Sequence, residues 1–283
     1  MTQPGDRRRT PVVMEVDRNF DDLAPRFARN IYGGLKGAIR LAVIEKDFAQ
    51  LYPNANVTAG SKPLRIIDAG GGQGQFSLQM AALGHHVTHC DISEQMLQLA
   101  QEHALARGVE SIDFVHAPIA ALAHEVKQGT RLPFDLVICH SVIEWVVEQE
   151  ALLADLQRLL NPQGMLSLTF YNRHGLVFKN LLRGKRSAIL DDQFKPRPGS
   201  LTPHRPLAPE QVLQWLQACD WQILCHSGIR VFHDYLLTED GRRMPAEDLM
   251  ALELELSRQE PYRSMGRYQH VMARRLCPSV QTE

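Results

Sequence analysis

From residue 64 onward, short apolar runs alternate with stretches whose apolar residues recur at helical spacing, and this alternation sets the expected architecture. Leu64, Ile66 and Ile67 form a run long enough for a buried strand and too short for a core helix, and Asp68 ends it. Phe76, Leu78, Met80, Ala81 and Leu83 then follow the period of a helix. Residues 85–90 read as a second strand ending at Asp91, followed by a helix that Ser93 opens and Gly108 closes. Residues 112–116, 134–139 and 165–171 give a third, fourth and fifth strand. A helix over 147–160, stopped by Asn161-Pro-Gln-Gly164, separates the last two. A helix at 209–218 precedes a sixth strand at 221–225 and its continuation, and 266–274 is the seventh. The pattern predicts five β-α units and a hairpin-like final pair, an α/β fold with a mostly parallel sheet and helices on both faces.

Upstream, residues 1–16 read as a disordered arm, with Met14 as an alternative start, and 17–62 as an N-terminal helical cap and linker. Apolar residues from Phe20 to Leu51 predict two helices laid against the edge of the main domain, interrupted by Asn30-Ile-Tyr-Gly-Gly34. Arg29, Tyr32, Lys36 and Arg40 lie on or near that interruption, either as exposed helix charges or with an arginine clamping a ligand carboxylate. The main domain spans 63–276, with a basic insertion at 172–206, and 277–283 is a tail.

The chemistry enters at the turn after the first strand. Asp68, Gly70, Gly72 and Gly74 form D-x-G-x-G-x-G, with Gly71 between. The dinucleotide pattern G-x-G-x-x-G fails here, because Gln75 or Ser77 stands where its third glycine belongs. The motif resembles the first motif of class I S-adenosylmethionine-dependent methyltransferases. Glycines let the backbone pass close to a ligand that has no pyrophosphate to cradle. That resemblance implies a Rossmann-like, seven-stranded sheet with the last strand antiparallel. Asp91, some twenty residues on, is placed either to accept hydrogen bonds from ribose hydroxyls or to cap a helix, though Ser93 suits the cap better. Ala117, Pro118 and Ile119 follow the third strand, where such folds hold an adenine, and His140, Ser141, Glu144 and Trp145 follow the fourth.

Composition narrows the picture only slightly. Hydrophobic content of 44% and charged content of 22% are those of an ordinary globular protein. No apolar run approaches the roughly 20 residues that span a bilayer, and no signal-peptide core follows Arg7, Arg8 and Arg9. A cytoplasmic protein is expected. Five cysteines without C-x-x-C spacing predict neither a disulfide nor a metal site. The net charge of −1 carries no bulk nucleic-acid signature, yet residues 173–205 hold eight Lys and Arg against Asp191 and Asp192. Such a run is either a solvated face or an RNA-following segment. The D/N-P-P-Y motif of DNA adenine methyltransferases is missing, since Cys139-His-Ser-Val142 stands in its place, and no DNA substrate is expected.

Several blocks narrow the resemblance further. Asp17-Arg-Asn-Phe-Asp-Asp22, Arg29-Asn-Ile-Tyr-Gly33, Val142-Ile-Glu-Trp-Val146, Phe170-Tyr-Asn-Arg-His-Gly175 and Arg230-Val-Phe-His-Asp-Tyr-Leu236 resemble the bacterial tRNA 5-carboxymethoxyuridine methyltransferase family. The likeness implies methyl esterification of that nucleoside at the wobble position of the tRNA anticodon loop, with S-adenosylmethionine as donor. By matching position it places cofactor contacts on Arg40, Gly70, Gly71, Asp91, Ile119 and His140, to which Gly72 is added from the motif itself and Pro118 from its place after the third strand. A carboxylate acceptor, with a pKa of about 4, is already ionised at neutral pH and needs no general base. Tyr171, Asn172 and His174 past the fifth strand, and Arg230, His233 and Tyr235 past the sixth, are expected to orient it. His140, His174 and His233 would serve a hydroxyl acceptor as bases, or are structural. A small-molecule carboxyl or O-methyltransferase, and a protein that binds S-adenosylmethionine without transfer, share the same cofactor residues.

Overall fold

The computed structural model describes residues 16–22, 34–52, 62–185, 201–203 and 205–276. The expected strands form as β1 (Arg65–Ala69), β2 (His86–Asp91), β3 (Ile112–His116), β4 (Phe134–His140), β5 (Leu160–Tyr171), β6 (Trp221–Ile229) and β7 (Tyr268–Arg275). They make one sheet in the order β3-β2-β1-β4-β5-β7-β6. β1 to β5 pair in parallel, and β7 lies between β5 and β6, antiparallel to both. The final pair is adjacent but not joined by a short turn. Its connection carries α8 (Glu239–Arg242), α9 (Ala246–Leu256) and α10 (Tyr262–Met265).

Alternation along each strand sends neighbours to opposite faces. Ile67, Val137, Cys139, Leu166 and Leu168 face one core, with Leu122 of α4 (Ile119–Gln128), Leu153 of α5 (Gln149–Leu159) and Leu216 of α7 (Pro209–Ala218). Ile66, Leu136, Ile138, Met165 and Met272 face the other, with Phe76 of α2 (Gln75–Ala82). Burial on both faces is why these strands read as unbroken apolar runs. Between β2 and β3, Ser93 caps α3 (Glu94–Ala106) by accepting the Met96 N–H at 3.1 Å. Among the described residues, no helix is long and apolar enough to cross a membrane.

Helix α1 (Gly34–Leu51) corrects the edge placement expected upstream. Its Val43, Ile44 and Phe48 lie on the face of the sheet, in the same core as Ile66, Leu136 and Met272. Amphipathic spacing identifies the buried stripe but not the surface that receives it. The first of the two expected helices, with Arg29 and Tyr32, lies outside the described residues. The basic insertion also differs from expectation, because it opens as α6 (Arg173–Leu182), and residues 186–200 lie outside the described residues.

Asp47 anchors α1 from within. Its carboxylate accepts Ser227 Oγ at 2.9 Å, Arg258 Nε at 3.0 Å and His270 Nδ1 at 2.7 Å, tying the helix to β6, β7 and the end of α9. Burial would raise this carboxyl, but the hydrogen bonds and charges of His270 and Arg258 prevail and hold it at about 2. A folded pKa below the ordinary value of 3.8 stabilises the protein above that value, and the contribution disappears as pH falls from about 4 to 2. Asp47→Asn is therefore expected to cost on the order of 2 kcal/mol or more at pH 6. In urea titrations the gap from the parent protein should narrow by about pH 3.5. A gap independent of pH would contradict an ionised, clamped Asp47.

Candidate active site

The carboxyl ends of β1, β2 and β4 open into a cavity of about 320 Å³. Gly70 and Gly72 line it from the first turn, Asp91 and Ile92 from the second strand, Pro118 and Ile119 from the third, and His140, Ser141 and Val142 from the fourth. This is the crevice where open α/β sheets bind ligands.

The glycine turn is required by space as well as by backbone angle. Gly70 has φ +74°, and a Cβ there would lie 2.5 Å from Val142 Cγ2. A Cβ on Gly71 would meet the His89 ring at 2.4 Å. Gly72 also has positive φ, at 58°. His89 holds the turn from beneath, with Nε2 2.9 Å from the Gly72 carbonyl and Nδ1 2.9 Å from Ser77 Oγ. Burial pushes this imidazole down to about 4, so it is neutral. Nε2–H then donates to the carbonyl, and Nδ1 accepts from the Ser77 hydroxyl. Asp91 accepts the Gly72 N–H and the Ser93 N–H, each at 2.8 Å and each on a different oxygen. A carboxylate accepts about four hydrogen bonds, so acceptor capacity remains for a ligand hydroxyl.

Residues 16–22 strap the mouth of this cavity. Asp17 Oδ1 accepts the Val147 N–H at 2.8 Å, and Arg18 N donates to Trp145 O at 3.1 Å. Phe20 sets its ring edge-on to Trp145 at 4.9 Å. On the other side Asp21 accepts the Ser93 hydroxyl at 2.6 Å. Asp17, Arg18 and Phe20 thereby line the cavity.

Beside the cavity, over the ends of β5 and β7, lies a cationic cluster. Tyr171 and Tyr268 are register partners whose rings meet edge to face at 5.1 Å. The Arg40 guanidinium lies 3.9 Å and that of Arg230 5.5 Å from the Tyr268 ring centre, and that of Arg267 4.5 Å from the Tyr171 ring. Arg40 also donates to Ser141 Oγ at 3.3 Å, which joins the cluster to the cavity wall. Asp234 receives both Arg230 and Lys179. Burial opposes its ionisation, yet these cations hold its carboxyl well below the usual range. Burial drives Glu144 the other way, up to about 8, so it is neutral at pH 7.

A methyltransferase domain family matches residues 67–168. The tRNA 5-carboxymethoxyuridine methyltransferase of Escherichia coli (strain K12) is 42% identical over 260 residues, covering 92% of this chain and 97% of its own. This chain belongs to that family. A ubiquinone biosynthesis O-methyltransferase of Maricaulis maris is 32% identical, over 54% of this chain and 58% of its own. Among solved structures, the magnesium protoporphyrin IX methyltransferase of Synechocystis PCC 6803 with bound SAH shares the fold. Its TM-score is 0.57 at 17% identity, over 90% of this chain and 95% of that one.

The family's cofactor is S-adenosylmethionine, and the residues present fit it: a cradle closed to any Cβ, a hydroxyl-accepting acid and an apolar slot at Pro118 and Ile119. Gly71 supports the cradle from behind. Arg40 does not line the cavity itself and reaches its wall through Ser141. His140 lies at the cavity, but its Nε2 is 2.8 Å from Ser167 Oγ, which is 2.9 Å from His270 Nε2. Burial keeps His140 neutral.

The six residues expected to orient the acceptor separate into groups. Tyr171 and Arg230 belong to the cationic cluster, and half-buried His233 adjoins it, its pKa lowered by burial. Asn172 is corrected to a structural role. It is fully buried, its Nδ2 donates to Ser264 O at 2.8 Å and Gly266 O at 2.7 Å, and its Oδ1 caps α6. The Tyr235 hydroxyl is likewise directed to backbone, 2.6 Å from Met265 O. His174 turns toward Glu210, with Nε2 at 3.2 Å. Arg267, Asp234 and the cavity role of Phe20 escaped the sequence reading.

Gly70→Ala is expected to weaken S-adenosylhomocysteine binding at least roughly tenfold by calorimetry, with the fold retained, because strain and overlap each cost about 1–3 kcal/mol. Adding Val142→Ala should restore part of the affinity. Parent-like binding by Gly70→Ala would place the ligand elsewhere.

Proposed function

We propose that this protein methylates the carboxylate of 5-carboxymethoxyuridine at the wobble position of the tRNA anticodon loop, forming the methyl ester, in the cytoplasm. The observation that carries the reading is the relationship to the Escherichia coli enzyme of that name, at 42% identity across nearly its whole length. The cation-rich floor beside the cavity is its physical counterpart.

S-adenosylmethionine supplies an electrophilic methyl group carried on a sulfonium. Gly70 and Gly72 admit the ligand against backbone, Asp91 accepts its ribose hydroxyls, and Pro118 and Ile119 bound its adenine. The strap at Phe20 and Trp145 keeps water from the cavity. The acceptor is a charged oxygen at neutral pH, so the protein has no proton to remove. Its contribution is alignment, and positioning of two reactants supplies roughly 7–11 kcal/mol of rate acceleration. Neutral, buried His140 suits this role, since its ring is spent on Ser167. A hydroxyl acceptor would require a base, and the three candidate histidines have no such setting. His174 faces Glu210 at the surface, and half-buried His233, a weaker base because burial lowers its pKa, does not line the cavity.

The test is direct. Purified protein, S-adenosylmethionine and tRNA from cells lacking this gene should yield the methyl ester by nucleoside mass spectrometry, with loss of the free acid. The same tRNA with the acid converted to an amide should remain unmethylated. Methylation of the amide, or of a ribose hydroxyl in place of the acid, would overturn the reading.

A further inference from the structure

Arg267 is a buried cation that no carboxylate among the described residues hydrogen-bonds, and Asp234 acts on it only through space. It is 8% exposed, and its Nη1 is fully buried without a hydrogen-bond partner. Its backbone is hydrogen-bonded: its N–H donates to Arg230 O at 3.3 Å, and its carbonyl accepts the Asn172 N–H at 3.1 Å. The guanidinium lies over the Tyr171 ring, 4.5 Å from its centre. A desolvated cation with an unused donor is costly, and native proteins pair such groups.

The neighbouring acids are already occupied. Asp234 is shared by Arg230 and Lys179. Glu253 accepts the backbone N–H groups of Val231, Phe232 and His233. Glu144 is buried and uncharged at neutral pH. Among the described residues, Arg230 and Lys179 take the Asp234 carboxylate by hydrogen bonds, and none is left for the Arg267 guanidinium. A planar fork of N–H donors on an aromatic floor matches a carboxylate, which takes both donors at once.

Position selects which carboxylate. Strand order sets β4, whose end walls the cofactor cavity, beside β5, and β5 beside β7. Arg267, just before β7, is thus two strand spacings, roughly 10 Å, from Ser141. Arg40 lies nearer, bonded to Ser141 itself. The two arginines divide the space between cofactor and acceptor.

We infer that Arg267 over the Tyr171 ring is the receptor for the acceptor's carboxylate, its N–H donors orienting the charged group so that one oxygen meets the methyl group. The subsite rests on the function proposed above. It makes the free acid the recognised form and leaves the neutral ester product weakly held.

Arg267→Met removes the charge at similar length, and Arg267→Lys keeps the charge without the fork. Steady-state methylation of 5-carboxymethoxyuridine tRNA is measured alongside calorimetry with S-adenosylhomocysteine, binding of anticodon stem-loops and thermal melting. Arg267→Met is expected to lower kcat/KM roughly 30- to 100-fold, and Arg267→Lys about tenfold, the loss of a charged hydrogen bond. S-adenosylhomocysteine affinity should stay within about twofold of the parent. Binding of a stem-loop carrying 5-methoxyuridine, which has no carboxylate, should not change. Activity within about threefold of the parent in folded Arg267→Met, or in Arg267→Lys should the first not fold, overturns the subsite. A parallel fall in S-adenosylhomocysteine affinity reassigns Arg267 to the methionine carboxylate, and weaker binding of both stem-loops reassigns it to a phosphate. Parent protein that methylates no carboxylate removes the functional reading, and the subsite with it.

Discussion

The backbone of residues 70–72 passes between Val142 on one side and His89 on the other, with no room for a side chain at Gly70 or Gly71. Everything at the site takes its position from that passage. The turn hands the Gly72 N–H to Asp91, which fixes the acid at the lip of the cavity. His89, made neutral by burial, grips the same residue by its carbonyl. A charged His89 would need both ring nitrogens as donors and would lose the Ser77 hydroxyl as a donor to it. Burial therefore also determines the hydrogen-bond polarity beneath the cradle.

Charge is arranged in the opposite sense beyond β4. On the cofactor side the buried groups are acids and neutral histidines. Over β5 and β7 three guanidinium groups surround two tyrosines, and one carboxylate serves two of the four nearby cations. Tyrosine faces tolerate cations that water no longer solvates, which suits a guanidinium such as that of Arg267 with an unused donor. As the proposed receptor for the acceptor's carboxylate, this cluster would favour a negatively charged acceptor over a neutral one, and the esterified product would lose that attraction. Alignment and selectivity then arise from the same few residues.

Much of the fold was legible because strands buried on both faces leave unbroken apolar runs, and each helix between them carries its own cap or stop. Ser93 and Gly108 framed α3, and the observed ends differ by a residue or two. The layer to which α1 belongs was not legible, since Val43, Ile44 and Phe48 define a stripe without naming its partner. At the site, the glycine spacing and Asp91 were readable because both lie within one β-α-β unit. Arg267 was not, because its role comes from Tyr171, nearly a hundred positions away and paired only through the antiparallel register of β5 and β7. Asn172 was misread as an acceptor ligand, although an asparagine between a strand and a helix is a normal N-cap. Asp17 to Asp22 carried the family likeness in sequence, but its place over Trp145 depends on contacts more than a hundred residues apart.

Catalysis without proton removal is the central claim, and the pH dependence of the transfer step tests it most directly. Single-turnover methylation of 5-carboxymethoxyuridine tRNA, with protein and S-adenosylmethionine saturating, is expected to be flat from about pH 6 to 7.5, where the acceptor is fully ionised. A rate rising about tenfold per pH unit over that range would show that a group must lose a proton first, contradicting transfer by alignment alone.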